Sequence, residues 1–180
     1  MGNWKNENTF ESVKPGTYAA RCIKIVDIGT QRGEYKGEPT QARKNVLTWE
    51  LPNELRDDGK PMIISKFYTA SLGEKATLRK DLVNWRGREF SAEELRSFDP
   101  KNILGAVCLI TVTEKENGKT AVSGVSGVPK GMQVGEQINP SVYFDLDDFN
   151  EELYDELSEG MKKLIRGSLE YPSLGLTEDA

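Results

Sequence analysis

The chain has 180 residues, 37 % of them hydrophobic and 29 % charged, which allows one core, or one domain with an appendage, on the polar side of the globular range. Two cysteines far apart, Cys22 and Cys108, exclude a disulfide framework and a metal-ligand spacing, and the absence of histidine removes the commonest general base and most zinc sites. The net charge of −5 is split: residues 1–136 hold 21 Lys and Arg against 18 Asp and Glu, whereas 137–180 hold 3 against 11, so the body remains compatible with an anionic ligand.

Residues 1–13 are polar and read as a flexible lead-in to a folded region over 14–132. They lack the basic and apolar parts of a signal peptide, and no apolar run in the chain is long enough to span a membrane. With two buried free thiols this points to a reducing cytoplasm. Gly16–Ile28 partly alternates between apolar and polar residues and is predicted as the first strand. Gly29 to Lys44 carries three glycines and a proline among mixed charges and is predicted as a mobile loop. Asn45–Leu51 is the second predicted strand, Asp57-Asp58-Gly59-Lys60 a turn, and Met62–Ala70 the third strand.

The period then changes from 2 to 3.6. Ser71 and Glu74 have the spacing of a capping box, Leu72, Leu78, Leu82 and Trp85 form an apolar stripe, and Gly87 is placed as a C-cap. Ser91 and Glu94 repeat the box ahead of a short helix over Ala92–Ser97, and Asp99 with Pro100 opens a further turn that Gly105 ends. Ala106–Thr113 and Thr120–Val128 are predicted strands four and five, joined at Asn117-Gly118. Residues 133–180 are read as an acidic C-terminal tail, helical or disordered. Eight acidic residues and no basic one lie between Asp145 and Glu159, while Leu146, Phe149, Leu153, Tyr154 and Leu157 fall on one face of a helix.

Three strands, a helix and two strands is the order of an OB-fold. The expected class is therefore mainly β: a five-stranded OB-fold barrel with a helical insert between strands three and four, plus the acidic tail. Such barrels bind single strands through cations that neutralise phosphates and aromatic faces that stack on bases. The candidates are Arg32, Tyr35 and Lys36 in the first loop, Arg43 and Lys44 before strand two, and Trp49 on it. Lys66 and Tyr68 on strand three, Arg86 and Arg88 around Gly87, and Lys115 and Lys119 at the Asn-Gly turn complete the set. For the aromatics on strands, core packing is the competing role; Tyr35 is the exception, because its loop has no evident core.

The segment from Ser65 to Val112 contains Ser65-Lys66, Tyr68-Thr69, Ser71-Leu72, Glu74-Lys75, Leu78-Arg79-Lys80, Trp85-Arg86-Gly87-Arg88, Phe90, Glu93-Glu94-Leu95 and Phe98-Asp99. In this it resembles a family of small phage-encoded proteins. The resemblance implies a single-stranded DNA-binding OB-fold acting in phage replication or recombination, in the host cytoplasm. It also implies an acidic tail that recruits replication or recombination proteins; this sequence lacks the terminal Pro-Phe of bacterial counterparts, so Phe149 and Tyr154 are the partner anchors it offers instead, and competition of the tail for the groove is a refinement of the same reading. Homo-oligomerisation is left open.

No cofactor and no catalysis are expected: there is no Walker lysine motif and no nucleophile constellation, and Asp145 to Glu152 lacks the glycine and spaced glutamate of a calcium loop. The alternative is a protein-interaction or host-inhibiting module that acts through the acidic segment without binding DNA.

Overall fold

Backbone pairing gathers the strand-forming runs into one six-stranded, largely antiparallel sheet, with few helices. The computed structural model describes residues 12–174. Its strands are β1 (Gly16–Tyr35), β2 (Glu38–Leu55), β3 (Pro61–Thr69), β4 (Val107–Glu114), β5 (Thr120–Ser126) and β6 (Val142–Phe144). Between β3 and β4 lie α1 (Thr77–Arg86), α2 (Ala92–Ser97) and a 3-10 turn at Pro100–Ile103. After β6 come a 3-10 turn at Leu146–Asp148, α3 (Glu151–Glu156), α4 (Glu159–Arg166) and a last 3-10 turn at Tyr171–Leu174. The strand order is β3-β2-β1-β4-β5, with β6 added in parallel to β1 at Lys24–Val26. The edge strands β3 and β5 approach one another, but no ladder joins them among the described residues.

Gly29 to Lys44 is not a loop. β1 and β2 continue as a paired ribbon as far as Tyr35↔Glu38. Lys36 (φ 53) and Gly37 (φ 83) close it as a two-residue turn with both central residues left-handed, the geometry that matches strand twist. Thr30, Gln31, Thr40 and Gln41 are residues that a two-sided polar ribbon accepts, so a polar composition concealed regular pairing.

Two bulges, at Cys22/Lys24 and Asp27/Gly29, bend β1 and change which residues face each side. Cys22 and Ile25 both enter an inner cluster with Leu47, Trp49, Tyr68, Cys108 and Ile110, which α1 covers with Leu78 and Leu82. Val26, Ile28 and Val46 face the other side and form an outer cluster with Phe144, Leu146, Tyr154, Leu157 and Ile165. Val13 is buried in the inner cluster, so the expected lead-in ends before it, and residues 1–11 lie outside the described part.

The expected acidic tail is instead folded back on the sheet as far as Leu174; the residues beyond lie outside the described part. Its first part is fixed by Glu50, a fully buried carboxylate that accepts hydrogen bonds from the Ile138 and Asn139 amides at 2.6 and 2.9 Å and from Asn139 Nδ2 at 2.8 Å. Its apolar stripe is real, but two caps break the helix: Asn150 accepts from the Leu153 amide and Ser158 from the Met161 amide. The expected capping box at Ser71 is likewise absent. Ser71 Oγ accepts from the Gly73 amide at 3.0 Å, and α1 starts later, after Ala76. The box at Ser91 and Glu94 forms in both directions, Asp99 caps the turn at Pro100, and Gly87 (φ 80) ends α1.

Candidate nucleic-acid interface

The β1–β2 ribbon carries Arg32, Tyr35 and Lys36, all exposed, and Lys36 Nζ lies 5.3 Å from the Tyr35 ring centre. Tyr35 is 64 % exposed, the most of any large hydrophobic side chain described. At the foot of the ribbon Lys44 pairs with Thr69 across β2 and β3, and its Nζ donates to Thr69 Oγ1 at 2.8 Å. Six residues of strand separate Lys44 from the tip, roughly 20 Å at about 3.3 Å per residue.

Side chains alternate along β3. Met62, Ile64, Lys66 and Tyr68 turn inward; Ile63, Ser65, Phe67 and Thr69 turn outward, and Phe67 is 52 % exposed. The aromatic that β3 offers to solvent is therefore Phe67, one residue from the predicted Tyr68. The signal was present: Ser65 and Thr69 share the face of Phe67, and two small hydroxyl residues at that period mark the wet side of a strand.

Four predicted contacts are consumed by the fold. Trp49 is fully buried and meets Trp85 with ring centres 6.3 Å apart, so it has no face for a base. Tyr68 is buried and its hydroxyl donates to Asp81 Oδ2 at 2.6 Å, the oxygen that Lys66 Nζ also reaches at 2.8 Å. Burial, with the hydrogen bond to Asp81 behind it, pushes the Tyr68 phenol far up, so it stays neutral. Lys66 neutralises a carboxylate that α1 carries into the core and is not available to a phosphate.

Arg43 is held by the chain's own acids: Asp27 Oδ2 at 2.7 Å, Asp147 Oδ1 at 3.1 Å and Glu170 Oε2 at 3.9 Å. The Asp27 hydrogen bonds outweigh burial and raise its pKa, so it stays charged. Burial pushes the Glu170 carboxyl up, yet hydrogen bonds from the Thr30 amide and hydroxyl, with Arg43 nearby, leave it below the ordinary value.

Phe149 and Tyr154 do not stand free as partner anchors. Tyr154 is buried, and Phe149 packs on Phe144 and Tyr154 at 5.5 and 5.2 Å between ring centres. Their stripe faces the sheet, because the outer side of β1 and β2 needed cover.

The remaining cations lie elsewhere. Gly16 pairs with Val112, so the turn carrying the exposed Lys115 and Lys119 lies beyond the N-terminal end of β1, while the ribbon tip lies at its C-terminal end. The two sets do not form one patch. Arg86 Nη2 donates to Glu94 Oε2 at 2.9 Å, and its guanidinium lies 4.1 Å from the Phe90 ring centre. Arg88 sits 3.7 Å from the same oxygen with its side chain 70 % exposed.

Among the described residues no group of three His, Cys, Asp or Glu side chains is placed to hold a metal ion. Burial pushes the Cys22 thiol up to about 12 and that of Cys108 higher still, so neither is a thiolate at neutral pH. No helix among the described residues is long and apolar enough to cross a membrane. No family model matches the chain, and neither a curated protein nor a solved structure is found similar to it.

Proposed function

We propose that this chain is a sequence-tolerant single-stranded DNA-binding protein of the OB type, serving phage replication or recombination. The observation that carries the reading is the β1–β2 ribbon, which presents an exposed Tyr35 between Arg32 and Lys36. An uncovered ring stacks on any base, and cations beside it neutralise phosphates without reading sequence. Phe67 and Lys44 at the ribbon's foot extend the same chemistry along the edge of the sheet.

The strand order supports the fold assignment. β1 pairs with both β2 and β4, β3 and β5 lie near one another, and the helices fall between β3 and β4, as in a five-stranded OB barrel. In this reading DNA follows the β3 edge and the ribbon, because the C-terminal segment occupies the outer face of β1 and β2. Arg43 then answers the chain's own acids, and its phosphate role passes to Lys44. The reading also draws on the resemblance of Ser65 to Val112 to a family of small phage proteins.

The test is an anisotropy titration of the full chain with labelled oligo-dT and a matched duplex at two salt concentrations. The expected outcome is preference for the single strand, with affinity falling steeply as salt rises. No binding at low salt overturns the reading. One observation favours a second reading, a protein-interaction module: Asp147, Asp148, Glu151, Glu152, Asp155 and Glu156 are all exposed on an ordered segment rather than on a loose tail. That module would leave oligo-dT unbound at every salt concentration.

A further inference from the structure

The helical insert encloses a cleft of about 460 Å³ that the ribbon and the β3 edge do not use. Its walls include Trp85, Phe90 and Phe98, with Arg86, Ser97 and Asn102 among the polar side chains that line it. Three features give it a chemical character. The walls are flat: the Arg86 guanidinium lies over Phe90, and Phe98 meets Phe90 edge-on, with rings 5.9 Å apart and inclined at 84°. The one carboxylate in the lining, Glu94, accepts from the Ser91 amide at 2.8 Å and from Arg86 at 2.9 Å, and these hydrogen bonds, the Ser91 one foremost, hold its pKa down. Beside this pair stands Arg88, largely exposed and only loosely engaged by Glu94.

An apolar cleft with an aromatic lining, the Asn102 side chain, the acceptor side of Ser97, whose hydroxyl donates to the Glu93 carbonyl, and a cation next to it fits a planar heterocycle that carries an anion. Its volume lies within the range of small-molecule sites. We infer that the cleft holds one nucleotide of the bound strand, its base against the aromatic lining and its phosphate at Arg88. The inference rests on the single-strand reading for the source of that nucleotide. It adds a second contact point, on the insert, to the one on the ribbon.

Trp85 supplies the readout, since its indole is fixed by a 2.8 Å hydrogen bond to the Val107 carbonyl and lines the cleft. The full chain is titrated with dTMP and with oligo-dT, following tryptophan emission, alongside a Trp85→Phe control. Anisotropy of labelled oligo-dT is measured for wild type, Arg88→Glu and Ser97→Leu, the last of which fills the cleft from an exposed helix end. The inference expects quenching that Trp85→Phe abolishes, and about tenfold weaker oligo-dT binding in both variants, within the range of one lost base stack.

If oligo-dT binds while Trp85 emission and both variants' affinities stay unchanged, the cleft is refuted and the ribbon reading stands. Quenching by dTMP without oligo-dT binding keeps the cleft and overturns the single-strand reading. Absence of both signals overturns both.

Discussion

The inner and outer hydrophobic clusters share β1 and β2 but are closed by different kinds of chain. The inner one is capped by α1, which follows β3 after a short turn, and its polar group is the compact Lys66–Asp81–Tyr68 cluster that α1 itself brings in. The outer one is closed by a segment that returns from far along the chain: Thr30 and Glu170, 140 residues apart, meet through two hydrogen bonds of 2.7 and 2.6 Å. Around it stand Arg43 with its three carboxylates and Gln31 donating to the Leu164 carbonyl. The inner cluster keeps its ion pair buried beneath a larger apolar contact. The outer one adds a polar fastening to a smaller apolar contact, so pH and salt reach it first.

The sharpest break of this contrast is Trp49→Ala. It should cost about 3–5 kcal/mol, as large aromatic truncations in cores do, and it should lower both clusters together in urea unfolding. Any loss of DNA affinity should then follow the unfolded fraction rather than a lost contact.

Gly29→Val is next, at about 2–4 kcal/mol, combining left-handed strain with overpacking. Gly29 sits at φ +78, and an added Cβ would lie 2.6 Å from Ser168 Cβ and 2.7 Å from Leu146 Cδ2. Limited proteolysis should show cleavage within residues 140–174 while the inner cluster stays protected. Simultaneous loss of both regions would refute their independence.

Arg43→Gln should cost about 1–3 kcal/mol, because it leaves half-buried carboxylates without their cation. The checks are a lower melting temperature and a weaker salt dependence than wild type. Acid acts in the same place. Because the folded pKa of Glu170 lies below its ordinary value, its contribution is present above the ordinary carboxylate range and is lost as pH falls through the folded value. Melting temperature followed from neutral pH downward should fall less in Glu170→Gln than in wild type. Smallest in stability is Tyr35→Ala, within about 0.5 kcal/mol for a side chain that covers nothing. It should nonetheless weaken oligo-dT binding severalfold, by the loss of one stack.

The inner cluster was readable because its signals are local. The apolar run in Ala106–Thr113, the stripe through Leu78 and Leu82, and the box at Ser91 and Glu94 each declare themselves within one turn or one strand. The outer cluster was half-readable. The stripe from Leu146 to Leu157 announced an amphipathic surface, but what it would cover depended on bulges in β1 that turn Val26 and Ile28 outward. Nothing short-range marks those bulges except Gly29. The ribbon is not legible in the sequence, because its residues are polar on both sides and carry no hydrophobic period, and only Lys36-Gly37 marks its turn.

The same locality misled the choice among aromatics. The predicted third strand agrees with β3 to within a residue at each end, yet whether Tyr68 or Phe67 meets solvent depends on which face of the strand meets α1. Asp81, which receives Lys66 and Tyr68, decides that from 13 residues downstream of Tyr68.

The parallel pairing of β6 with Lys24–Val26 has a consequence for the order in which the protein is made. On the ribosome, β1 through β5 and α1 are complete while residues 142–166 are still being added, so the inner cluster can close first. During that interval Val26, Ile28 and Val46 line an open apolar trough on a nascent sheet. Residues 142–166 thus close a face of the sheet that stays open for as long as they are absent.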